Sequence, residues 1–448
     1  MPTTHDTLKR QLGLTTAIAL VVGEVIGVGI FLTPAGMAKS LGSPALVLVV
    51  WLLMGAMALC GALCYGELAA RFPAAGGSYV YLREAYGPAL AFLYGWMTLL
   101  VLDPGLTAAL AVGMASYAGY GLNLAPASVQ AIAIVMIGLI AVANILGVRL
   151  GGWLVRWLTI LKVALLMFVV GWGFAGRFGA WTNFTPFVAQ RAGSMPLVGA
   201  LAGAIVAGFF SFGGWWDVSK VAGEVRAPAR TLPRALTYGV LIVTLVYILT
   251  SAVFIYLVPL ERVTSGETFA AQAGEALFGR VGGRVFAAII VVTVLGSLAV
   301  YIMSAPRVYF AMARDRLFFP VVAKIHPRFG TPALAIVLQA TLAALLVLVG
   351  TFNQIVAYFV FNIVVFVALS VAAVFVLRRR TRASDFAYRT PGYPATPIIF
   401  LLLVALLLVL LAGNNPRQVA LGVGVVALGL PVYYLFFRRR FVVETDER

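Results

Sequence analysis

Three ionisable side chains stand in apolar surroundings where each could do charge chemistry away from water. Lys162 lies in Leu158-Thr-Ile-Leu-Lys-Val-Ala-Leu-Leu-Met167, Glu24 follows Val22-Gly23, and Asp103 precedes Pro104-Gly105. Lys162 is about ten residues from either end of its apolar stretch, roughly 15 Å from water at the helical rise. Its stem is too short to snorkel that far. An ammonium at such depth must find polar partners or shed its proton, so it reads as functional, as a structural pin, or as both. Glu24 could form a salt bridge, take up a proton or attract a cation. Asp103 stands where a proline interrupts the helical hydrogen-bond ladder.

Backbone could supply a second kind of chemistry. Glu24 is followed by Val25-Ile26-Gly27-Val28-Gly29-Ile30-Phe31, and a later stretch reads Gly208-Phe209-Phe210-Ser211-Phe212-Gly213-Gly214-Trp215-Trp216-Asp217. Glycine costs roughly 1 kcal/mol against alanine inside a helix, and Gly27 and Gly29 can adopt backbone angles that other residues resist. One reading is close helix packing by small residues. The other is a pair of interrupted helices, tolerable in hydrocarbon only where the unwound backbone lines a cavity or is buried. A break exposes N–H groups and a positive helix end that suit a carboxylate, and carbonyls with a negative end that suit an ammonium. An α-amino acid carries both groups on one carbon.

The elements that must hold these groups are membrane spans. The 448 residues are 62% hydrophobic and 10% charged, against about 25% charged in soluble domains. Apolar stretches long enough for a roughly 30 Å hydrocarbon layer recur at 14–39, 44–70, 88–119, 127–146, 152–174, 197–219, 236–258, 284–312, 332–350, 354–377, 396–413 and 418–437. The expected fold is therefore an all-α integral membrane protein of twelve transmembrane helices. The breaks fall in spans one and six, the first members of two five-span halves, which points to inverted repeats around a midplane site. That divides the chain into an N-terminal tail (1–13), a first repeat (14–174), a second repeat (197–377), two additional helices (396–437) and a C-terminal tail (438–448).

Net charge of +17 would suggest nucleic acid in a soluble protein. Here its distribution sets topology, and no nucleic-acid partner is expected. Only Lys39, Arg177, Arg191, Arg262, Arg280, Arg284 and Arg417 fall outside; Lys162 stays within the membrane. All other Lys and Arg, Lys220 among them, fall on the side of the two termini. This is the positive-inside pattern, with both termini cytoplasmic and the cell membrane as the expected location. The N-terminus lacks a charged n-region, short apolar run and cleavage site, so no signal peptide is expected to be removed.

The same residues exclude several function classes. His5 and His326 lie in the tail and a loop, and Cys60 and Cys64 share one face of the second span as small hydrophobes. No metal centre or Ser-His-Asp arrangement can be assembled from these in the membrane, and no nucleotide-binding Gly-x-x-x-x-Gly-Lys-Ser/Thr loop is present. No cofactor is expected, and neither an enzyme nor a channel with charge rings is favoured. A non-transporting receptor would leave two broken helices without a purpose.

At these segments the chain resembles the amino acid–polyamine–organocation superfamily, and within it bacterial relatives of the L-type amino acid transporters. Ile26-Gly27-Val28-Gly29-Ile30-Phe31 resembles the family's Gly-Ser-Gly-Ile-Phe, with Val28 in place of serine. Further likenesses follow in order: Tyr65-Gly66-Glu67-Leu68, Gly76-Gly77-Ser78-Tyr79, Phe210 to Trp215, Glu224 with Pro228, Gly296-Ser297-Leu298, Ala313-Arg314-Asp315 and Arg389-Thr390-Pro391-Gly392-Tyr393-Pro394. The resemblance implies alternating access, with a bundle containing spans one and six rocking against a scaffold. It implies that amides around Gly27, Val28, Gly29 and Ile30 hold the substrate carboxylate, and carbonyls near Phe210, Ser211 and Gly213 its ammonium. Phe210 matches an outer gate, and Tyr301 an aromatic that shapes the side-chain pocket. Lys162 matches a lysine that replaces a sodium ion and links spans one, five and eight.

The implied function is sodium-independent transport of amino acids, neutral ones foremost, by exchange or proton coupling. Carriage of cationic amino acids or polyamines is the alternative, favoured by Glu24 and Asp103; both are grouped with Lys162 as coupling or conformational residues. Trp216 stands where arginine–agmatine exchangers have a glutamate, and Asp217 is expected to point elsewhere around the helix. The loop near Tyr120 to Ala127 lacks the cysteine that ties animal relatives to an ancillary glycoprotein, so no covalent partner subunit is expected.

Overall fold

The computed structural model describes residues 8–122, 124–262, 266–349, 352–380, 387–414 and 416–438. Most of the expected terminal tails, with His5 and Arg382, lies outside the described residues. The helices are α1 (Leu14–Val25), α2 (Gly29–Leu41), α3 (Pro44–Arg71), α4 (Ser78–Tyr86), α5 (Pro88–Met97), α6 (Asp103–Leu122), α7 (Pro126–Ile145), α8 (Val148–Ala175) and α9 (Leu197–Phe212). They continue with α10 (Pro228–Leu257), α11 (Gly266–Phe278), α12 (Gly282–Ser304), α13 (Pro306–Arg314), α14 (Ala333–Val349), α15 (Phe352–Arg380), α16 (Ala395–Asn414) and α17 (Pro416–Val432).

Proline and capping residues set where these helices begin. Pro44 opens α3, where its missing N–H would be unpaired anyway, and the Ser43 hydroxyl accepts the Leu46 N–H at 3.4 Å. Among the described residues, ten helices are long and apolar enough to cross a membrane, or eleven when the bent pair α1–α2 counts as one; α14 is a shorter apolar helix. Among the described residues, the one β pairing is a bridge between Leu12 and Val225. Large apolar side chains such as Leu139, Trp153, Leu245, Leu402 and Val409 remain exposed, as a lipid-facing surface requires and a water-facing one does not tolerate.

Packing brings distant parts of the chain together. α2 lies against α9, α3 along α10, α6 along α12, and α7 against α14. α1 touches α8, α10 and α12, so the first interruption has helices on several sides. α1 and α2 meet at 48° across the bends at Ile26–Val28. α9 ends at Phe212, and after Gly213-Gly214 the chain continues as a 3-10 segment, Trp215–Glu224. The apolar stretch 197–219 is thus interrupted at Gly213-Gly214, within the glycine cluster where the sequence places a break, and its second part winds as 3-10 rather than α.

Candidate functional site

The two interruptions face one cavity of about 90 Å³. Gly27, Val28, Gly29, Phe210, Ser211, Gly213 and Tyr301, named above as substrate-binding candidates, all line it, and so does Glu24, grouped there with the coupling residues. Ile30 is fully buried but is not part of that lining. The remaining wall is largely apolar, with Leu102, Leu106, Leu110, Phe209 and Ile363. α2 begins at Gly29, where helical geometry leaves the first N–H groups without intrahelical acceptors.

Neither glycine of the first break has the left-handed backbone expected of it; that conformation belongs to Gly214, at φ 105°. Gly29 is needed for proximity instead. A Cβ there would stand 2.8 Å from Ser211 Oγ and 3.0 Å from Ser211 Cα. The two broken segments are then tied by polar contacts. Thr33 Oγ1 and Ser211 Oγ are 2.8 Å apart, and the Tyr247 hydroxyl shares its proton between the carbonyls of Val25 (2.7 Å) and Ser211 (2.8 Å). Tyr247 carried no sequence signal, being one tyrosine in an apolar span. Its bond occupies one acceptor position on the Ser211 carbonyl, a group expected to face a ligand.

Lys162 is buried at 0% exposure behind the first break. Its ammonium donates to the carbonyls of Gly23 (2.7 Å) and Ile26 (2.7 Å) and to Ser297 Oγ (2.9 Å). Three acceptors satisfy the three N–H bonds of an ammonium. The partners belong to α1 with its cap and to α12, so Lys162 joins spans one, five and eight. Gly296 leaves the room for it: a Cβ there would meet Lys162 Cε at 2.7 Å.

Asp103 does not line the cavity. It is fully buried and accepts from Tyr309 (2.7 Å), Tyr301 (3.1 Å) and the Lys220 ammonium (3.3 Å). A π-helical turn, Thr98–Leu102, precedes it, the wide turn that accommodates the break at Pro104. Lys220, counted from sequence with the loop charges, is 1% exposed. It bonds Asp217 Oδ2 at 2.7 Å and sits 5.3 Å from the centre of the Tyr301 ring. The one feature that could distinguish it from the topology-setting charges is the three-residue spacing Asp217-Val-Ser-Lys220, a neighbouring pair on a helical turn, which the sequence reading does not use. Asp217 corrects a second expectation: it and Trp216 both line the cavity, because the tighter 3-10 winding changes the direction of each side chain.

Motif residues distant from the cavity form clasps. Glu67 accepts from Arg378 (2.7 and 2.6 Å) and from the Thr390 N–H (2.7 Å). Arg307 pairs with Glu224 at 2.7 and 3.2 Å, both buried. Tyr79 and Arg83 both donate to Asp315, and the N-terminal segment is held by Leu12 N–H to Glu224 carbonyl at 2.9 Å.

Fold and site together define a multi-pass membrane protein of the transporter class, with its cavity between interrupted helices. The amino acid permease family model matches residues 12–437, and the chain belongs to that family; it is an amino acid transporter, not an enzyme. It is 33% identical to the serine/threonine exchanger SteT of Bacillus subtilis (strain 168), over 98% of this chain and 100% of that protein. It is 29% identical to Asc-type amino acid transporter 1 of Mus musculus (96% and 81%) and 28% identical to large neutral amino acids transporter small subunit 2 of Homo sapiens (96% and 80%).

Proposed function

We propose that the protein exchanges neutral L-amino acids across the cell membrane without sodium, by alternating access. The observation that carries this reading is the cavity enclosed by the two breaks, with backbone of both broken helices on its wall and mainly apolar side chains elsewhere. Amides around Gly27, Val28, Gly29 and Ile30 would hold the carboxylate, and carbonyls near Phe210, Ser211 and Gly213 the ammonium. Phe210 would cover the substrate and Tyr301 shape its side-chain pocket. Lys162 supports sodium independence, because its ammonium already satisfies carbonyls at the end of α1 that a cation would otherwise engage. The similarity to a serine/threonine exchanger supports small neutral substrates and the exchange mode.

The same reading has twelve spans, α1–α2, α3, α5–α6, α7, α8, α9 with its 3-10 segment, α10, α12–α13, α14, α15, α16 and α17. Its inverted repeats are 14–174 and 197–377, followed by two additional helices at 396–437, with both tails cytoplasmic. Pairing of α2 with α9, α3 with α10, α6 with α12 and α7 with α14 supports it, since each partner lies five spans further along the chain. The loop near Tyr120 to Ala127 contains no cysteine, so no covalent ancillary subunit belongs to this reading.

The test is uptake of a labelled amino acid panel into sodium-free proteoliposomes with and without internal amino acid. Uptake of neutral substrates that requires internal substrate is the expected result. A preference for lysine, arginine or polyamines would instead establish the cationic alternative, for which the cavity-lining Glu24 is the favouring observation. Asp103, satisfied by three donors, gives that alternative no support.

A further inference from the structure

Two carboxyl groups line the cavity with oxygens that no donor among the described residues satisfies. Among the described residues, both oxygens of Glu24 and the Oδ1 of Asp217 are buried without a hydrogen-bond partner. Glu24 is 9% exposed and Asp217 1%, and both line the cavity. The Glu24 stem packs on the second break itself, since a Cβ on Gly214 would meet Glu24 Cγ at 2.7 Å.

The charges around them do not balance. Lys220 is shared between Asp217 and Asp103, while Lys162 on α8 is turned to backbone carbonyls and Ser297. Two neutral phenols complete the polar surroundings: Tyr301 on α12 lines the same cavity and gives its hydroxyl to Asp103, and Tyr247 on α10 bonds the carbonyls of Val25, next to Glu24 in the chain, and Ser211. Lys220 therefore bonds two of the three carboxyls, and Glu24 receives no hydrogen bond from either buried lysine among the described residues. Asp217 donates its N–H to the carbonyl of that same Gly214 at 2.9 Å, so both acids flank one residue; ionised carboxylates lining one low-dielectric cavity repel, and their bare oxygens leave desolvation uncompensated. One added positive charge removes both problems, because a protonated carboxyl can donate to its neighbour. Apolar walls at Leu106, Leu110 and Phe209 offer nothing to a long cationic side chain, which favours a proton as that charge.

We propose that Glu24 and Asp217 form a carboxyl pair that binds one proton and carries it with a neutral substrate through the transport cycle. The step breaks no covalent bond other than that between the proton and water, and the proton returns to water when the cavity opens to the other side. The proposal rests on reading this cavity as the amino acid site, and the test separates the two.

Sodium-free proteoliposomes holding the wild type, Glu24→Gln or Asp217→Asn are assayed for initial rates of neutral amino acid uptake across a pH series. Infrared absorption of the same membranes, without substrate, reads any protonated carboxyl directly. The wild-type rate is expected to change by up to about tenfold per pH unit on its steep limb, and the E24Q profile to be flat. The protonated-carboxyl band is expected in the wild type, lost in E24Q and shifted in D217N. D217N and the band carry the test where E24Q does not fold. Identical pH profiles in wild type and E24Q, or absence of the band in the wild type, would overturn the pair. Saturable lysine or arginine uptake that disappears in E24Q would overturn the proton in favour of a cationic substrate. Should the wild type move no amino acid at any pH, the transport reading fails by itself, and the band still decides the carboxyl pair.

Discussion

Lys162 and Lys220 are both sealed from solvent, yet their partners are of opposite kinds. Lys162 donates only to neutral acceptors, the carbonyls at the end of α1 and one serine hydroxyl. Lys220 meets two carboxylates, Asp217 and Asp103, and the face of Tyr301. The first places a three-fold hydrogen-bond donor at the negative end of a helix that stops in the middle of the fold, so it holds backbone. The second compensates acids, binding α6 and the 3-10 segment together. A buried lysine is thus not one kind of device, and losing each should leave a different defect.

Removing Lys220 should have the larger effect. Lys220→Met leaves two buried carboxylates uncompensated and is expected to lower stability by about 3–5 kcal/mol, read by thermal unfolding of the purified protein. Adding Asp217→Asn should recover part of the loss; a double variant no better than the single would break the charge-compensation side of the comparison. Lys162→Ala leaves the Gly23 and Ile26 carbonyls without their donor, at about 1–3 kcal/mol for each buried unsatisfied group. Its transport should fall further than its stability, because the defect sits at the α1–α2 junction. If Lys162→Ala proves the more destabilising of the two, Lys162 is compensating a charge as well.

Smaller changes sharpen the same contrast. Gly214→Ala puts a Cβ at φ 105° and against Glu24, with about 1–3 kcal/mol of backbone strain, and should reduce uptake with a modest loss of thermal stability. Tyr247→Phe removes the hydroxyl that spans Val25 and Ser211. About 0.5–1.5 kcal/mol is expected for that hydrogen bond, seen as a small drop in melting temperature; a normal melting temperature would show that the two breaks are held by Thr33 and Ser211 instead.

Much of the site was legible before any coordinates. Glycine clusters and a mid-span lysine are expensive in hydrocarbon, so their presence is informative, and Gly27, Val28, Gly29, Phe210, Ser211, Gly213, Glu24 and Tyr301 do converge on one cavity. Lys220 was not legible, because a lysine near a span end looks like any topology-setting charge. The direction of Asp217 was misjudged because a regular helix was assumed where the chain winds as 3-10. Asp103 reads from the sequence as a coupling or conformational acid that favours a cationic substrate, and only the fold brings Tyr301, Tyr309 and Lys220 to it from distant parts of the chain.

Composition and periodicity by themselves determined that the chain is a helical membrane protein with interrupted spans, because the low dielectric of a bilayer permits few alternatives. Ordered motifs determined its family. What the tertiary structure alone decided is where the buried charged groups find hydrogen-bond partners: Lys162 on backbone carbonyls, Asp103 on three donors, and Glu24 on none among the described residues. Compensation depends on distances of a few ångströms between residues a hundred or more positions apart, and linear order does not encode those distances.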